Sequence, residues 1–365
     1  MKKMRVGVIF GGRSGEHEVS IISAQSVINA IDKKKHEAIP IFINKKGQWQ
    51  LGFDEKLIKG KGAGHVYLPP DPTKGELVAV DKTNKAPEKI DVAFPVLHGT
   101  FGEDGTVQGL LELAGIPYVG AGVAASAVGM DKILMKRIFG SVGLPATKHL
   151  VFLRKEIVNS EAKVISKIEK ELKYPIFTKP ANLGSSVGVS KAKNRKELKK
   201  GLSFASSYDR KVIVEQGIEK AREIEVAVLG NDEPKASVCG EVVPSKEFYD
   251  YEDKYILGRA KLIIPAPLPK RFTNTIRNLA VKAFKASDCA GMARVDFLID
   301  PVTDNVYVDE VNTIPGFTSI SMYPKLWEAT GIKYSELINQ LIELAIERYN
   351  DKRLNKTDFP SKLLK

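Results

Sequence analysis

Residues 4–10 form a short run rich in Val and Ile that stops at Gly11-Gly12 and gives way to helical spacing over residues 19–31. Strand, glycine turn, helix is the unit from which parallel sheets are built. Residues 38–43 read as a second strand and residues 91–97 as a third. The third is followed by His98-Gly99-Thr100-Phe101-Gly102-Glu103-Asp104-Gly105 and a helix over residues 106–114. The Gly- and Pro-rich stretch 60–87 between them reads as a surface excursion. Small residues and Pro117 punctuate residues 115–122 and mark a boundary.

A second unit is predicted to follow, with helices at 131–139 and 160–172 and strands at 147–152 and 174–179. After the last of these, Pro180-Ala181-Asn182-Leu183-Gly184-Ser185-Ser186-Val187-Gly188 turns back into a short strand at 187–191. Strand, glycine loop, strand is a hairpin, so this loop does not cap a helix as phosphate loops of the Walker type do. A helix at 194–206 and a strand at 212–216 complete the unit. Beyond lie a strand at 224–229, an aromatic and acidic loop at 246–255, a helix at 271–287, a hairpin around Pro301 and a last helix at 334–349. The tail after Tyr349 reads as weakly ordered. At about 150 residues per domain, 365 residues make two or three domains of α/β class.

Composition removes whole classes of function. The weakly polar stretch 115–130 is too short for a spanning helix, which needs roughly 20 apolar residues, and the run after the basic start ends at Phe10, too early for a signal sequence. A cytoplasmic protein is expected, with Cys239 and Cys289 as buried thiols. The net charge of +12 raises nucleic acid as a partner, but the excess is spread over solvated faces such as 193–200 and the tail, without an Arg-rich arm. Gly11-Gly12-Arg13-Ser14-Gly15 lacks dinucleotide spacing, no Gly-Lys pair sits in a Walker frame, and His17-Glu18 has no second His at Ile21.

The most informative segment is 294–312. Residues 295–299 and 306–312 flank Asp300-Pro301-Val302-Thr303-Asp304-Asn305, whose residues favour a turn. A turn centred near Thr303 sets Asp296 opposite Glu310, with Asn312 on the same face. Two facing carboxylates repel unless a cation lies between them, and hard oxygen donors suit Mg²⁺ held jointly with phosphate. On the pattern alone, a solvated polar face neutralised by Arg294 stands level with that reading. Gly184-Ser185-Ser186-Val187-Gly188 is either a phosphate-covering hairpin tip or simply a flexible turn. Lys132 and Lys179 could neutralise phosphate. Glu16 and His98 sit in loops after strands, where open α/β sheets bind ligands.

In this order, Gly11-Gly12-Arg13-Ser14-Gly15-Glu16-His17-Glu18-Val19-Ser20, His98-Gly99, Lys179-Pro180 with Gly184-Ser185-Ser186-Val187-Gly188, and 309–319 with Asp309-Glu310-Val311-Asn312-Thr313 resemble the D-alanine-D-alanine ligases of the ATP-grasp superfamily. The resemblance runs from about residue 5 to 349. It implies a three-domain ATP-grasp fold: a parallel-sheet N-terminal domain at 1–121, a central domain at 122–215, a C-terminal domain at 216–350 and a tail at 351–365. It implies a homodimer that joins two D-alanines through a D-alanyl phosphate for peptidoglycan precursor synthesis, using ATP and two Mg²⁺ or Mn²⁺, with monovalent-cation activation left open. Neither nucleic acid nor membrane is an expected partner.

By the same resemblance, Asp296, Glu310 and Asn312 hold the metal. Lys132 and Lys179 contact phosphates, Glu215, Gln216 and Ile218 hold adenine, Glu223 takes the ribose, and Phe248 belongs to the nucleotide site. Arg294 and the Gly316 N–H stabilise the oxyanion. Glu16 forms a set with Ser185 and Tyr255 around the ammonium of the first D-alanine, beside His98, while Lys254, Ser321 and Met322 receive the second. Residues 248–255 become a lid, and Tyr255 favours an amine as second nucleophile. Thr178, Ala181-Asn182-Leu183 and Met322 depart from the family's usual residues. The alternatives are an ATP-grasp ligase taking D-lactate or D-serine second, and a non-catalytic basic binding protein.

Overall fold

A computed structural model describes residues 2–54, 58, 64–80, 88–244, 260–318 and 320–358. Val6, Val8, Ile9 and Phe10 of β1 (Met4–Gly11) are fully buried. Parallel neighbours, β2 (His36–Ile43) and β7 (Val92–Pro95), cover both its edges. Its faces are buried in two cores, Val6, Val8 and Phe10 in one and Ile9 in the other, and a parallel strand covered on both faces need not alternate, which explains the near-continuous apolar run. β1 turns at Gly11 with φ +91°, where a Cβ would come within 2.2 Å of the Ile43 carbonyl oxygen, so the turn into α1 (His17–Ala30) requires glycine.

The stretch expected as a surface excursion, where it is described, instead holds the second and third of four strands that extend this sheet. β3 (Trp49–Leu51), β4 (His65–Tyr67), β5 (Glu76–Ala79) and β6 (Glu88–Lys89) add antiparallel strands, giving the order β6-β5-β4-β3-β2-β1-β7. Val66 and Leu77 are buried with Ile41, Ile43 and Leu111 of α2 (Thr106–Leu113). Strands of two to four residues between Gly and Pro are too short for their alternation to be legible. The weakly polar stretch at 115–130 likewise contains a helix, α3 (Val123–Met130), directly before α4 (Lys132–Ser141).

The central sheet runs β10-β9-β11-β8, all antiparallel, from β8 (His149–Leu153), β9 (Ile176–Pro180), β10 (Ser190–Ala192) and β11 (Lys211–Gln216). The glycine loop joins β9 to β10, as the hairpin reading required. α5 (Arg154–Asn159), α6 (Glu161–Glu171) and α7 (Arg195–Tyr208) cover one face. This unit has a core of its own, Ile165, Ile168, Leu198, Leu202, Val212 and Val214 among its members. The C-terminal sheet runs β14-β13-β12-β15-β16, built from β12 (Arg222–Gly230), β13 (Lys235–Val243), β14 (Lys261–Ile263), β15 (Gly291–Ile299) and β16 (Val306–Asn312). Its core takes Ile276, Ala280 and Phe284 from α8 (Lys270–Ala286), together with Ala125 of α3 and Met135 and Phe139 of α4.

α9 (Met322–Thr330) packs on β12 and β13 of the C-terminal sheet, and α10 (Tyr334–Lys352) lies between that sheet and the N-terminal one. Leu337, Leu341 and Ile342 of α10 share a core with Val6, Val8, Phe94 and Met292. Arg348 donates to the carbonyls of Gly120 and Tyr118, and the Tyr349 hydroxyl donates to Gly115 at 2.8 Å. The helix thus runs to Lys352, into the stretch expected as tail, because its end is fastened to the boundary segment. Both cysteines are buried and free.

Candidate active site

The β15-β16 hairpin sets the register on which the site depends. Its turn pairs Ile299 with Val306, and two-by-two pairing continues to Phe297 opposite Val308. Continued without interruption, that register would bring Asp309 opposite Asp296. A bulge intervenes, and Glu310 faces Asp296, with Arg294 opposite Asn312. On the other side, Asp296 pairs with Glu225 of β12. Three carboxylates therefore stand abreast across three strands. Glu225 was not foreseen, because nothing in β12's own sequence names its cross-strand partner.

Arg294, on the same face as Asp296, supplies the cation. It donates from Nε to Asp296 Oδ1 at 2.7 Å and from Nη2 to Oδ2 at 2.6 Å, and Nε lies 3.0 Å from Glu225 Oε2. Burial opposes its charge, but Asp296 and Glu225 raise its pKa above the ordinary arginine value. The neutralising partner and the acid row are parts of one arrangement.

A second charged cluster lies behind the first. Glu215, 2% exposed at the end of β11, receives Lys136 Nζ at 2.7 Å and Lys179 Nζ at 2.5 Å. Asp309, turned out by the bulge, lies 3.4 Å from Lys136 and 3.7 Å from Lys179. Burial disfavours the Glu215 carboxylate, yet the two ammonium groups hold it well below the usual carboxylate range. Burial likewise opposes charge on Lys179, and Asp309 and Glu215 raise it above the lysine value. A carboxyl depressed in this way contributes stability that is complete above 4.5 and is lost as pH falls through its folded value. Glu215→Gln is accordingly expected to flatten the fall in thermal midpoint between about pH 5 and 3. A slope equal to that of the wild type would detach Glu215 from acid stability.

Two clefts meet at this acid row. One, of about 540 Å³, is lined by Phe177, Lys179, Ile218, Glu223, Asp296 and Leu298, with Glu215 and Gln216 at its back. The Gln216 side chain turns outward to the Lys173 backbone, accepting at 2.6 Å and donating at 2.6 Å. The other, of about 820 Å³, is lined by Glu16, His98, Asn312, Gly316, Ser321 and Met322. Lys132, Ser185, Arg294 and Glu310 border both.

Side chains around the second cleft are fixed by their surroundings. The Ser185 hydroxyl donates to Glu16 Oε1. A Cβ added at Gly99 or Gly184 would lie 2.7 or 2.8 Å from Glu16 Oε2, so both glycines leave room for that carboxylate. His98 is buried, its Nδ1 3.1 Å from the Ile314 carbonyl and its Nε2 3.0 Å from the Ser23 hydroxyl, with Glu103 at 3.9 Å. Burial disfavours charge on His98, but Glu103 compensates and its pKa stands above the ordinary value. Ser321 Oγ accepts from the Thr318 N–H at 3.0 Å, and Asn312 Oδ1 accepts from the Ile314 N–H at 3.0 Å.

The loop's base is anchored too. Lys132 Nζ donates to the Leu183 carbonyl at 2.7 Å. Asp131 caps α4, accepting from the N–H groups of Ile133 and Leu134, and pairs with Lys211. Asn182, one of the departures from the family's pattern, bonds Asp209 through its backbone and side-chain nitrogens, each at 2.9 Å. Tyr255, Lys254 and Phe248 lie outside the described residues, as does the lid assigned to 248–255.

The donors Asp296, Glu310 and Asn312 are all hard oxygens on one hairpin face. Among the described residues no three His, Cys, Asp or Glu side chains converge as a closed metal cage. Both Asp296 oxygens already receive Arg294. Such a set fits a Mg²⁺-like cation that keeps phosphate oxygens among its ligands, rather than one held by protein alone.

Two family models together match most of the chain. One described as D-ala D-ala ligase N-terminus matches residues 5–121, and one described as D-ala D-ala ligase C-terminus matches residues 138–343. A D-alanine--D-alanine ligase of Natranaerobius thermophilus is 52% identical, covering 98% of this chain and 99% of its own length. Another, from Chloroherpeton thalassium, is 51% identical over 98% of this chain and 100% of its own. Among solved structures, the D-alanine-D-alanine ligase from Coxiella burnetii matches with a TM-score of 0.84 at 36% identity, covering 97% of each chain. The D-Ala:D-Ser ligase VanG from Enterococcus faecalis matches with a TM-score of 0.84 at 36% identity, covering 94% of this chain and 100% of its own. Fold and sequence agree, and the chain belongs to the D-alanine-D-alanine ligase family.

Proposed function

We propose that this chain joins two D-alanines at the expense of ATP, releasing ADP and phosphate, in the synthesis of peptidoglycan precursor. The observation that carries the reading is the shared wall of the two clefts. A nucleotide in the first and an amino acid in the second would meet between Lys132, Ser185, Arg294 and Glu310. Positioning and charge neutralisation are what phosphoryl transfer asks of a protein.

In this reading Ile218 and the backbone of Gln216 flank the adenine, with Glu215 behind them, Glu223 takes the ribose hydroxyls, and Lys179 and Lys132 take phosphate oxygens. The carboxylate of the first D-alanine attacks the γ-phosphorus, and ADP leaves. Glu16, held by Ser185 and Tyr255, receives its ammonium, with His98 alongside. The amine of the second D-alanine then adds to the acyl phosphate. Arg294 and the Gly316 N–H face the developing oxyanion, and phosphate leaves. Lys254, Ser321 and Met322 receive the second substrate, and Phe248 with the rest of the lid excludes water. Asp296, Glu310 and Asn312 would hold Mg²⁺ or Mn²⁺, whose charge offsets that of the triphosphate.

The grasp is proposed to act between units 122–215 and 216–350, with 1–121 carrying Glu16 and His98. The α3 and α4 end of the central unit is rooted in the C-terminal core. A cytoplasmic homodimer belongs to the same proposal. Among the described residues no helix is long and apolar enough to cross a membrane.

The test is incubation with ATP, Mg²⁺ and D-alanine, following phosphate release and product mass, with L-alanine, D-lactate and D-serine in parallel arms. D-Alanyl-D-alanine with stoichiometric ADP is the expected product. A preference for D-serine or D-lactate as second substrate would retain the site and reassign its acceptor. Glu16→Gln, which removes one charge from the second cleft alone, is expected to lower kcat/KM for D-alanine about a hundredfold, the scale of a charged hydrogen bond, while the KM for ATP holds. An equal rise in both KM values would detach Glu16 from D-alanine.

A further inference from the structure

We propose that Lys136 is a positioning residue for ATP, the fixed counter-ion of Glu215 and Asp309 that leaves the Lys179 ammonium available to the triphosphate. The inference rests on ATP occupying the first cleft. Lys136 lies on α4 and is 2% exposed. Its ammonium shares the same two acids as Lys179, with Glu215 Oε1 at 2.7 Å and Asp309 Oδ1 at 3.4 Å. The Thr147 hydroxyl adds a contact of 3.4 Å to Glu215 Oε1. Two ammonium groups and two carboxylates make a neutral set, largely buried at Lys136, Lys179 and Glu215 and 23% exposed at Asp309.

The two lysines differ in access. Lys179 lines the first cleft, whereas Lys136 is outside its lining and lies behind the acids. A buried carboxylate stripped of its counter-ion is costly, so a lysine that is the sole partner of two such acids is held in place. With Lys136 present, Lys179 can turn toward a phosphate while Glu215 and Asp309 keep one shared cation. Without it, the same movement strands both acids, and an incoming triphosphate meets a cluster that is already net negative. Lys136 touches no substrate in this account and acts only through Glu215 and Asp309.

The experiment compares Lys136→Met, Lys136→Arg, Asp309→Asn and the double variant Lys136→Met/Asp309→Asn with the wild type. Steady-state KM and kcat are measured for ATP and for D-alanine, ADP binding is measured by calorimetry, and thermal midpoints are recorded. Lys136→Met is expected to raise the KM for ATP and weaken ADP about tenfold or more, the scale of breaking one side of a buried pair, while kcat at saturating ATP and the KM for D-alanine move far less. Lys136→Arg retains most of the ATP affinity. The double variant removes one charge of each sign and is expected to recover most of what Lys136→Met loses. A role in packing alone predicts the reverse, since the double variant has lost two interactions.

Wild-type ATP affinity in a folded Lys136→Met protein would overturn the proposal, as would a double variant no better than the single one. Should Lys136→Met fail to fold, the double variant against the wild type decides. ATP affinity within about threefold supports charge balance, and a loss beyond about tenfold overturns it. A wild-type protein that binds neither ATP nor ADP would instead overturn the reading of the first cleft.

Discussion

Glu310→Ala is expected to lower ligase turnover by about a hundred- to a thousandfold at saturating Mg²⁺, the scale seen when one preorganised electrostatic group is removed from a reacting centre. The same substitution should leave the thermal midpoint unchanged or slightly raised. Glu310 stands directly opposite Asp296, and like charges facing each other across a ladder destabilise a sheet. Relief of that repulsion works against whatever packing is lost. Loss of turnover with an intact or stabilised fold is hard to produce by general damage. Steady-state rates over a Mg²⁺ titration, read beside a melting curve, test both halves. Turnover near that of the wild type at high Mg²⁺ would remove Glu310 from phosphate-side chemistry. A collapse of the fold would make it a structural acid.

Arg294→Met is expected to be costly in both respects. The guanidinium neutralises Asp296 and Glu225, and the side chain is 16% exposed. Removing one partner of a buried charged set costs about 3–5 kcal/mol because the other side is left uncompensated. Urea denaturation should register that loss, and turnover should fall with it. Arg294→Lys separates the two effects. It restores a positive charge but not the planar pair of donors that meets both Asp296 oxygens, so it should recover much of the stability and little of the turnover. A lysine variant with wild-type turnover would show that charge alone suffices and would remove the directional role assigned to Arg294.

The legible parts of the fold were those whose pattern is local. Residues 4–31 declared strand, glycine turn and helix through hydrophobic period and the Gly11 turn, and the β15-β16 hairpin declared itself through its turn residues. The pairing of Asp296 with Glu310 was reached from a symmetric turn about Thr303, whereas the structure reaches it through a tighter turn and a bulge at Asp309. The two routes agree because the bulge restores the residue that the tighter turn takes away. The sequence contained no sign of that bulge, so the outward turn of Asp309 was invisible. Lys136 was missed for a related reason. A lysine in a short helix reads as solvated, and its burial is decided by Glu215 and Asp309, which come from two other sheets. β14 and the short strands β4 and β5 were hidden for want of length, and β13, although nine residues long and preceded by the turn residues Gly230-Asn231-Asp232-Glu233-Pro234, breaks its apolar pattern at Ser237 and Gly240. Glu16 with Ser185, by contrast, followed from the family resemblance, and the hydroxyl does reach the carboxylate.

The placement of α10 bears on how the chain is made. Leu337, Leu341 and Ile342 share a core with apolar residues of β1 and β7, which are synthesised well before α10. α1 covers the β1 part of that face early, but the part over β7 lacks the cover of α10 until that helix has left the ribosome, and contacts of such long sequence separation form slowly. Exposed apolar surface held open for that interval is what aggregation exploits and chaperones shield. A chain stopped before residue 334 would leave that surface permanently bare, so premature termination is expected to cost the first domain as well as the last.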